Sequence, residues 1–60
     1  MRYKVQLDGR QAGDEQDNRY AMEVYADHSQ AAKTIAYVTA QSAGIQVDSA
    51  SIDVSVAGVR

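Results

Sequence analysis

The sequence predicts an α+β fold of order ββαβ, in which a three-stranded antiparallel sheet has one helix packed on one face. Two observations predict it. Apolar and polar residues alternate in three segments, which is typical of strands with one buried face, and the segment before the third strand has apolar residues at helical spacing. A chain of 60 residues has room for one hydrophobic core, so we interpret residues 1–60 as a single domain.

The first strand is predicted over residues 2–8, and a loop over residues 9–18 follows it. The apolar residues of this strand occupy alternate positions and are Tyr3, Val5 and Leu7. Side chains at alternate positions point to the same face of a sheet, so this set is predicted to face the core. The loop contains two glycines and no apolar periodicity, and it is longer than a tight hairpin requires.

The second strand is predicted over residues 19–26, where Tyr20, Met22, Val24 and Ala26 resume the alternation. Asp27 follows and is the predicted helix N-cap, because its carboxylate can accept free N–H groups of the first turn. Gly44 lies where the helical spacing ends, and Ile45 behind it can make the hydrophobic contact that accompanies glycine caps. We therefore predict a helix over residues 28–43.

The predicted helix has two different faces when its residues are projected at about 100° each. The face predicted to pack on the sheet consists of His28, Ala31, Ala32, Ile35, Ala36, Val38, Thr39, Ser42 and Ala43. The face predicted to lie in solvent consists of Gln30, Lys33, Tyr37, Ala40 and Gln41. The small residues of the first set would allow the helix to lie close to the sheet.

The third strand is predicted over residues 51–57, where Ile52, Val54 and Val56 alternate with polar residues. A short extended piece at Ile45 and Val47 and a turn over residues 48–50 precede it. The hairpin makes the first two strands antiparallel, and the helix returns the chain so that the third strand is parallel to the second. The first strand then lies in the centre, with strand order 2-1-3.

One face of this sheet is predicted to remain uncovered. Its side chains are those of Lys4, Gln6, Glu23, Tyr25, Asp53 and Ser55. Lys4 is placed to pair with Glu23 or with Asp53 across the strands. The third strand also has few charges, so its edge is available for pairing with another chain.

The composition argues against several classes of function. Cysteine is absent, which excludes disulfides, cysteine-based zinc sites and a thiol nucleophile. A formal charge of −2 and a pI near 5.0 argue against direct nucleic-acid binding through phosphate neutralisation. The sequence shows no signal-peptide pattern and no apolar run of about 20 residues. We therefore expect a soluble cytoplasmic protein with no membrane contact.

No residue pattern predicts an enzyme, and we expect no cofactor and no metal. His28 is the one histidine, between Asp27 and Ser29. Three consecutive side chains cannot converge on one reacting atom as a nucleophile, a base and an orienting group must. The only acidic cluster consists of Asp14, Glu15 and Asp17, and its spacing differs from that of a calcium-binding loop.

The candidate partner-binding residues lie on three predicted surfaces. Lys33 and Tyr37 place a cation and an aromatic ring one turn apart on the predicted solvent side of the helix. Tyr25 and Glu23 lie on the uncovered face of the sheet. The acidic loop, formed by Asp14, Glu15 and Asp17, can compete for a basic groove on another molecule.

The segment over residues 24–36, Val-Tyr-Ala-Asp-His-Ser-Gln-Ala-Ala-Lys-Thr-Ile-Ala, reads as a strand that enters a helix. It resembles the strand-to-helix segment of small phage-encoded anti-CRISPR proteins that act on type I-F surveillance complexes. The resemblance implies an inhibitor whose basic helix surface contacts the protein subunits along the guide RNA, in the cytoplasm of the host. Lys33 falls at one of those helix positions, whereas the neighbouring position is Thr34 instead of a second basic residue.

The sequence therefore predicts a small non-catalytic protein-binding module, and the resemblance implies an anti-defence inhibitor that docks on a host protein or ribonucleoprotein complex. The alternative is a homo-oligomer that completes its core by pairing strands or sheet faces, because a core of this size supplies little stability alone. A third possibility is metal-dependent chemistry at the acidic loop.

Overall fold

The structure, a computed structural model, describes residues 1–57. Its elements in chain order are β1 (Arg2–Gln11), β2 (Asn18–Tyr25), α1 (Ser29–Ser42) and β3 (Ile45–Val56). β1 lies in the centre of a three-stranded sheet and is antiparallel to both neighbours, so the strand order is β2-β1-β3. The predicted α+β fold and strand order are confirmed.

The hydrophobic core lies between the sheet and α1. Val5 and Leu7 of the central strand are fully buried, and Tyr3 is 6% exposed. The buried residues of α1 are Ala32, Ala36 and Ala40. Residues four apart form a line along a helix, and methyl side chains on that line allow the helix to approach the sheet closely. Most of the core volume therefore comes from the strands.

The helix is rotated relative to the prediction. Ile35 is 41% exposed and Val38 is 54% exposed, although the projection assigns both to the buried face. Ala40, which the projection assigns to solvent, is 1% exposed. The central strand already fills the core with Val5 and Leu7, so the helix packs through its smallest side chains and its larger ones lie outside.

The two ends of α1 differ in how well the sequence predicts them. The N-cap is His28 and not Asp27, because the Nδ1 atom of His28 accepts the N–H of Ala31 at 3.2 Å. At the other end the prediction is confirmed. Gly44 has a φ of 85°, and Ile45 is buried in one cluster with Ala40. These are the left-handed residue and the hydrophobic contact of a glycine C-cap.

β3 is longer than predicted and contains an irregularity where the sequence predicts a turn. Gln6 pairs with Asp53, whereas Asp8 pairs with Asp48, so β3 has extra residues between these two pairs. The hydroxyl of Ser51 accepts the N–H of Asp8 at 2.7 Å and donates to the C=O of Asp48 at 2.6 Å. A side chain thus replaces a missing backbone partner, which is how this bulge remains within the sheet.

β1 also continues beyond its predicted end, through Gly9 to Gln11. Gly9 is buried and pairs with Asn18 on one side and Val47 on the other. A Cβ atom at this position would lie 2.5 Å from Cγ2 of Ile45 and 3.0 Å from the C=O of Gln46. Glycine is therefore required here for close approach of β3, and it does not mark the start of the loop.

Candidate partner-binding surfaces

The open sheet face is the side of the sheet away from α1. The strand register places on it Arg2, Lys4, Gln6, Asp8, Arg10, Arg19, Ala21, Glu23, Tyr25, Gln46, Asp48, Asp53 and Ser55. All six residues predicted for this face are on it. The alternation along each strand accounts for this agreement, because side chains opposite one another in register lie on the same face.

Arg19 connects all three strands on the open sheet face. It lies opposite Asp8 in register, and its guanidinium is 3.0 Å from a carboxylate oxygen of Asp8 and 3.0 Å from one of Asp53. These hydrogen bonds, first to Asp8 and then to Asp53, raise the pKa of Arg19 above its usual value. The prediction did not include Arg19, although the hairpin pairing of Arg19 with Asp8 could have indicated it.

Lys4 lies near the middle of the open sheet face, and its predicted ion pairs are absent within residues 1–57. Glu23 pairs instead with Arg2, with 3.8 Å between Nε and the carboxylate oxygen, and Asp53 pairs with Arg19. A hollow of about 360 Å³ adjoins the Lys4 side chain and is lined by Lys4, Ala21, Met22 and Glu23. Ala21 is the smallest of these residues and lies two positions before Glu23 on β2, so its methyl group leaves space beside the two charged side chains.

Tyr25 lies at one end of the open sheet face, opposite Arg2 in register. Its side chain is 73% exposed, more than any other large hydrophobic residue that the structure describes. The prediction that Tyr25 and Glu23 share the uncovered face is confirmed, and both are exposed. An exposed tyrosine held on a strand costs little side-chain entropy when a partner covers it.

Lys33 and Tyr37 lie elsewhere than predicted, because of the rotation of α1. Both side chains are half-buried on the flank of the helix that faces β3. The groove there has a volume of about 180 Å³ and is lined by Gln30, Lys33, Thr34, Tyr37, Ser49 and Ile52. Sites for small ligands typically have volumes of about 300–1,000 Å³, so this groove matches a protein side chain better than a cofactor or substrate.

The acidic loop joins β1 to β2 at the Asp8–Arg19 end of the open sheet face, away from Lys4 and Tyr25 along the strands. Gly13 has a φ of 92°, and the N–H of Asp14 donates to the C=O of Gln11 at 3.0 Å, which closes a turn. Asp17 pairs with Arg10 at 3.2 Å. Within residues 1–57, no three His, Cys, Asp or Glu side chains are grouped so that they could hold a metal ion.

No protein-family model, curated protein or solved structure matches this chain. In residues 1–57, no helix has the length and apolar character needed to cross a membrane.

Proposed function

We propose that this chain is a non-catalytic protein-binding module that docks its partner on the open sheet face. One observation carries the proposal: a whole face of the sheet lies uncovered by residues 1–57 and combines the hollow beside Lys4 with the exposed ring of Tyr25. Strands hold these side chains more rigidly than a loop would, so the protein loses little conformational entropy when a partner binds.

The charges of the open sheet face favour a protein over a nucleic acid. Its cations are Arg2, Lys4, Arg10 and Arg19, and its anions are Asp8, Glu23, Asp48 and Asp53. A phosphate backbone that approached these four cations would also approach the four carboxylates, and their repulsion offsets the attraction that drives nucleic-acid binding. Another protein surface can match alternating charges one by one, which favours specific recognition.

A binding role without catalysis also agrees with the position of the histidine. The Nδ1 atom of His28 accepts the N–H of Ala31 at 3.2 Å, and the ring is therefore part of the helix cap. Inhibition of a host defence complex remains a prediction within this proposal. The half-buried position of Lys33 favours the open sheet face over the helix as the docking surface for such a complex.

Affinity capture with two double variants tests the proposal. Lys4→Ala with Tyr25→Ala alters the open sheet face, and Lys33→Ala with Val38→Ala is the matched control on the helix side. The tagged wild type is used to capture proteins from a lysate, and each double variant is then tested against the captured partner in a purified binding assay. Thermal unfolding of all three proteins establishes that each remains folded.

The first double variant should weaken the partner's affinity at least about tenfold, which corresponds to about 1.4 kcal/mol. The control should change it less than about twofold. The reverse pattern would move the docking surface to the helix and the groove beside β3. Equal affinities for all three proteins would contradict docking on either surface.

A further inference from the structure

The outer edge of β3 presents backbone groups to solvent. Ala57 donates its N–H to the C=O of Arg2 at 2.9 Å, so the backbone groups of Ala57 point towards β1. Backbone groups point to opposite sides at successive positions of a strand. Val54 and Val56 therefore direct their N–H and C=O groups away from β1, where no strand of the described part of the chain pairs with them.

The two edges of the sheet differ in how well they are protected against pairing with a strand of another chain. β2 has the charged residues Arg19 and Glu23 along its exposed edge, and charges of this kind discourage strand addition. Residues 52–56 of β3 include one charged residue, Asp53. Val56 in the same segment is 48% exposed, so this edge combines free backbone groups with uncovered apolar surface.

We propose that β3 pairs antiparallel with β3 of a second copy of this chain, about a two-fold axis at Val54. Val54 of one copy then lies opposite Val54 of the other, and their outward N–H and C=O groups bond reciprocally. Ile52 lies opposite Val56 on the helix-covered face. On the open sheet face, Asp53 lies opposite Ser55.

The charge pattern of β3 favours this register. Pairing centred one residue earlier would place Asp53 opposite its own copy, and like charges directly opposite destabilise a strand pair. The register centred on Val54 gives Asp53 a hydroxyl partner instead. It also covers the exposed side chain of Val56 with that of Ile52, which is already packed against the core. A self-complementary patch of this kind is what a closed two-fold dimer needs.

The same symmetry brings the two helices together. A two-fold axis perpendicular to an antiparallel pair places both copies of α1 on the same face of the joined sheet. The flank of α1 that faces β3 then approaches its counterpart and covers the groove lined by Lys33 and Tyr37. The open sheet faces remain free on the other side, so this self-association goes beyond the proposed partner binding and does not depend on it.

Molar mass in solution is the first test. Sedimentation equilibrium of the wild type, up to about 0.5 mM, should give twice the chain mass of 6.5 kDa. Val56→Lys adds a charge at the edge and should give a single chain mass. Val38→Lys is the matched control, because Val38 is similarly exposed at 54% and lies on the helix away from β3, and it should remain dimeric. Circular dichroism verifies that both variants fold.

Disulfide trapping tests the register. The chain has no cysteine, so a disulfide formed by a single introduced cysteine must join two copies. Val54→Cys should cross-link on oxidation, because directly opposite residues lie within bonding range. Ser55→Cys should not, because it would lie about 7–8 Å from its own copy across the strand pair, beyond the ~7 Å between Cα atoms that a disulfide tolerates.

Two outcomes would overturn the dimer itself, and a third would overturn only its register. A wild type that stays at a single chain mass throughout the concentration range would overturn the proposal, and so would a dimer that survives Val56→Lys. Cross-linking of Ser55→Cys without cross-linking of Val54→Cys would overturn the register. None of these outcomes decides whether a partner binds the open sheet face, because that proposal rests on Lys4 and Tyr25.

Discussion

The two faces of the sheet differ in what their side chains contribute. On the helix-covered face Val5 and Leu7 are fully buried, and burial of such a side chain contributes about 1.5–3 kcal/mol. The open sheet face has exposed ion pairs such as Arg2 with Glu23, whose side chains are 40% and 57% exposed, and pairs of this kind contribute at most about 1 kcal/mol. Stability therefore depends mainly on one face, and the other can serve for binding.

Leu7→Ala should have the largest effect and would sharpen this comparison most. Leu7 is fully buried at the centre of the sheet, and its truncation should lower the free energy of unfolding by about 2–5 kcal/mol. Gln6→Ala is the control, because the neighbouring side chain lies on the open sheet face, and it should change stability by less than about 1 kcal/mol. Urea unfolding measures both. Equal effects would remove the distinction between the faces.

Gly9→Ala should be the next most damaging change. The added methyl group would lie 2.5 Å from Cγ2 of Ile45, and forced overpacking of this kind costs about 1–3 kcal/mol. The addition of one methyl group on the helix-covered face would then lower the free energy of unfolding of the whole domain. An unchanged midpoint of thermal unfolding would show that β3 does not approach β1 closely at this point.

Ser51→Ala should cost about 1 kcal/mol. The hydroxyl of Ser51 accepts the N–H of Asp8 at 2.7 Å, and its removal leaves a partly buried donor without that acceptor. Ser55→Ala, at an exposed position of the same strand, is the matched control and should change stability by less than about 0.5 kcal/mol. Chemical denaturation measures both variants. Coinciding unfolding curves would show that the Ser51 hydroxyl does not stabilise the bulge.

Ile35→Asp should have the smallest effect, less than about 1 kcal/mol, because its side chain is 41% exposed. The helical projection predicts the opposite, that a charge at this position unfolds the domain. Ala36→Asp is the informative comparison, since Ala36 is fully buried and a carboxylate there would have no opposite charge to pair with. Thermal unfolding should show a cooperative transition for the first variant only, and loss of the transition for Ile35→Asp would contradict the observed rotation.

The sheet could be predicted from the sequence because strand periodicity is strict. Each residue of a strand faces one of two sides, so Tyr3, Val5 and Leu7 fix the faces of β1 without further information. The open sheet face followed from the same rule. The glycine cap at Gly44 was also predictable, because it depends on local conformation alone.

The rotation of α1 could not be predicted in the same way. A helix has no two-sided constraint, and its contact line depends on how much volume the sheet already supplies. The projection placed Ile35 and Val38 on the buried face together with Ala32 and Ala36. The packing buries these two alanines as predicted, but it adds Ala40 and leaves Ile35 and Val38 exposed. The predicted positions of Lys33 and Tyr37 were wrong for this reason. The partner-binding role of the acidic loop remains a prediction.

Lysine footprinting of the partner complex tests the central claim most directly. The sequence contains two lysines, Lys4 on the open sheet face and Lys33 on the helix flank beside β3. Acetylation rates for each, measured by mass spectrometry with and without the captured partner, report which side is covered. We expect the partner to slow acetylation of Lys4 at least about fivefold, a difference of about 1 kcal/mol, and to leave that of Lys33 unchanged. Protection of Lys33 with full reactivity of Lys4 would contradict docking on the open sheet face.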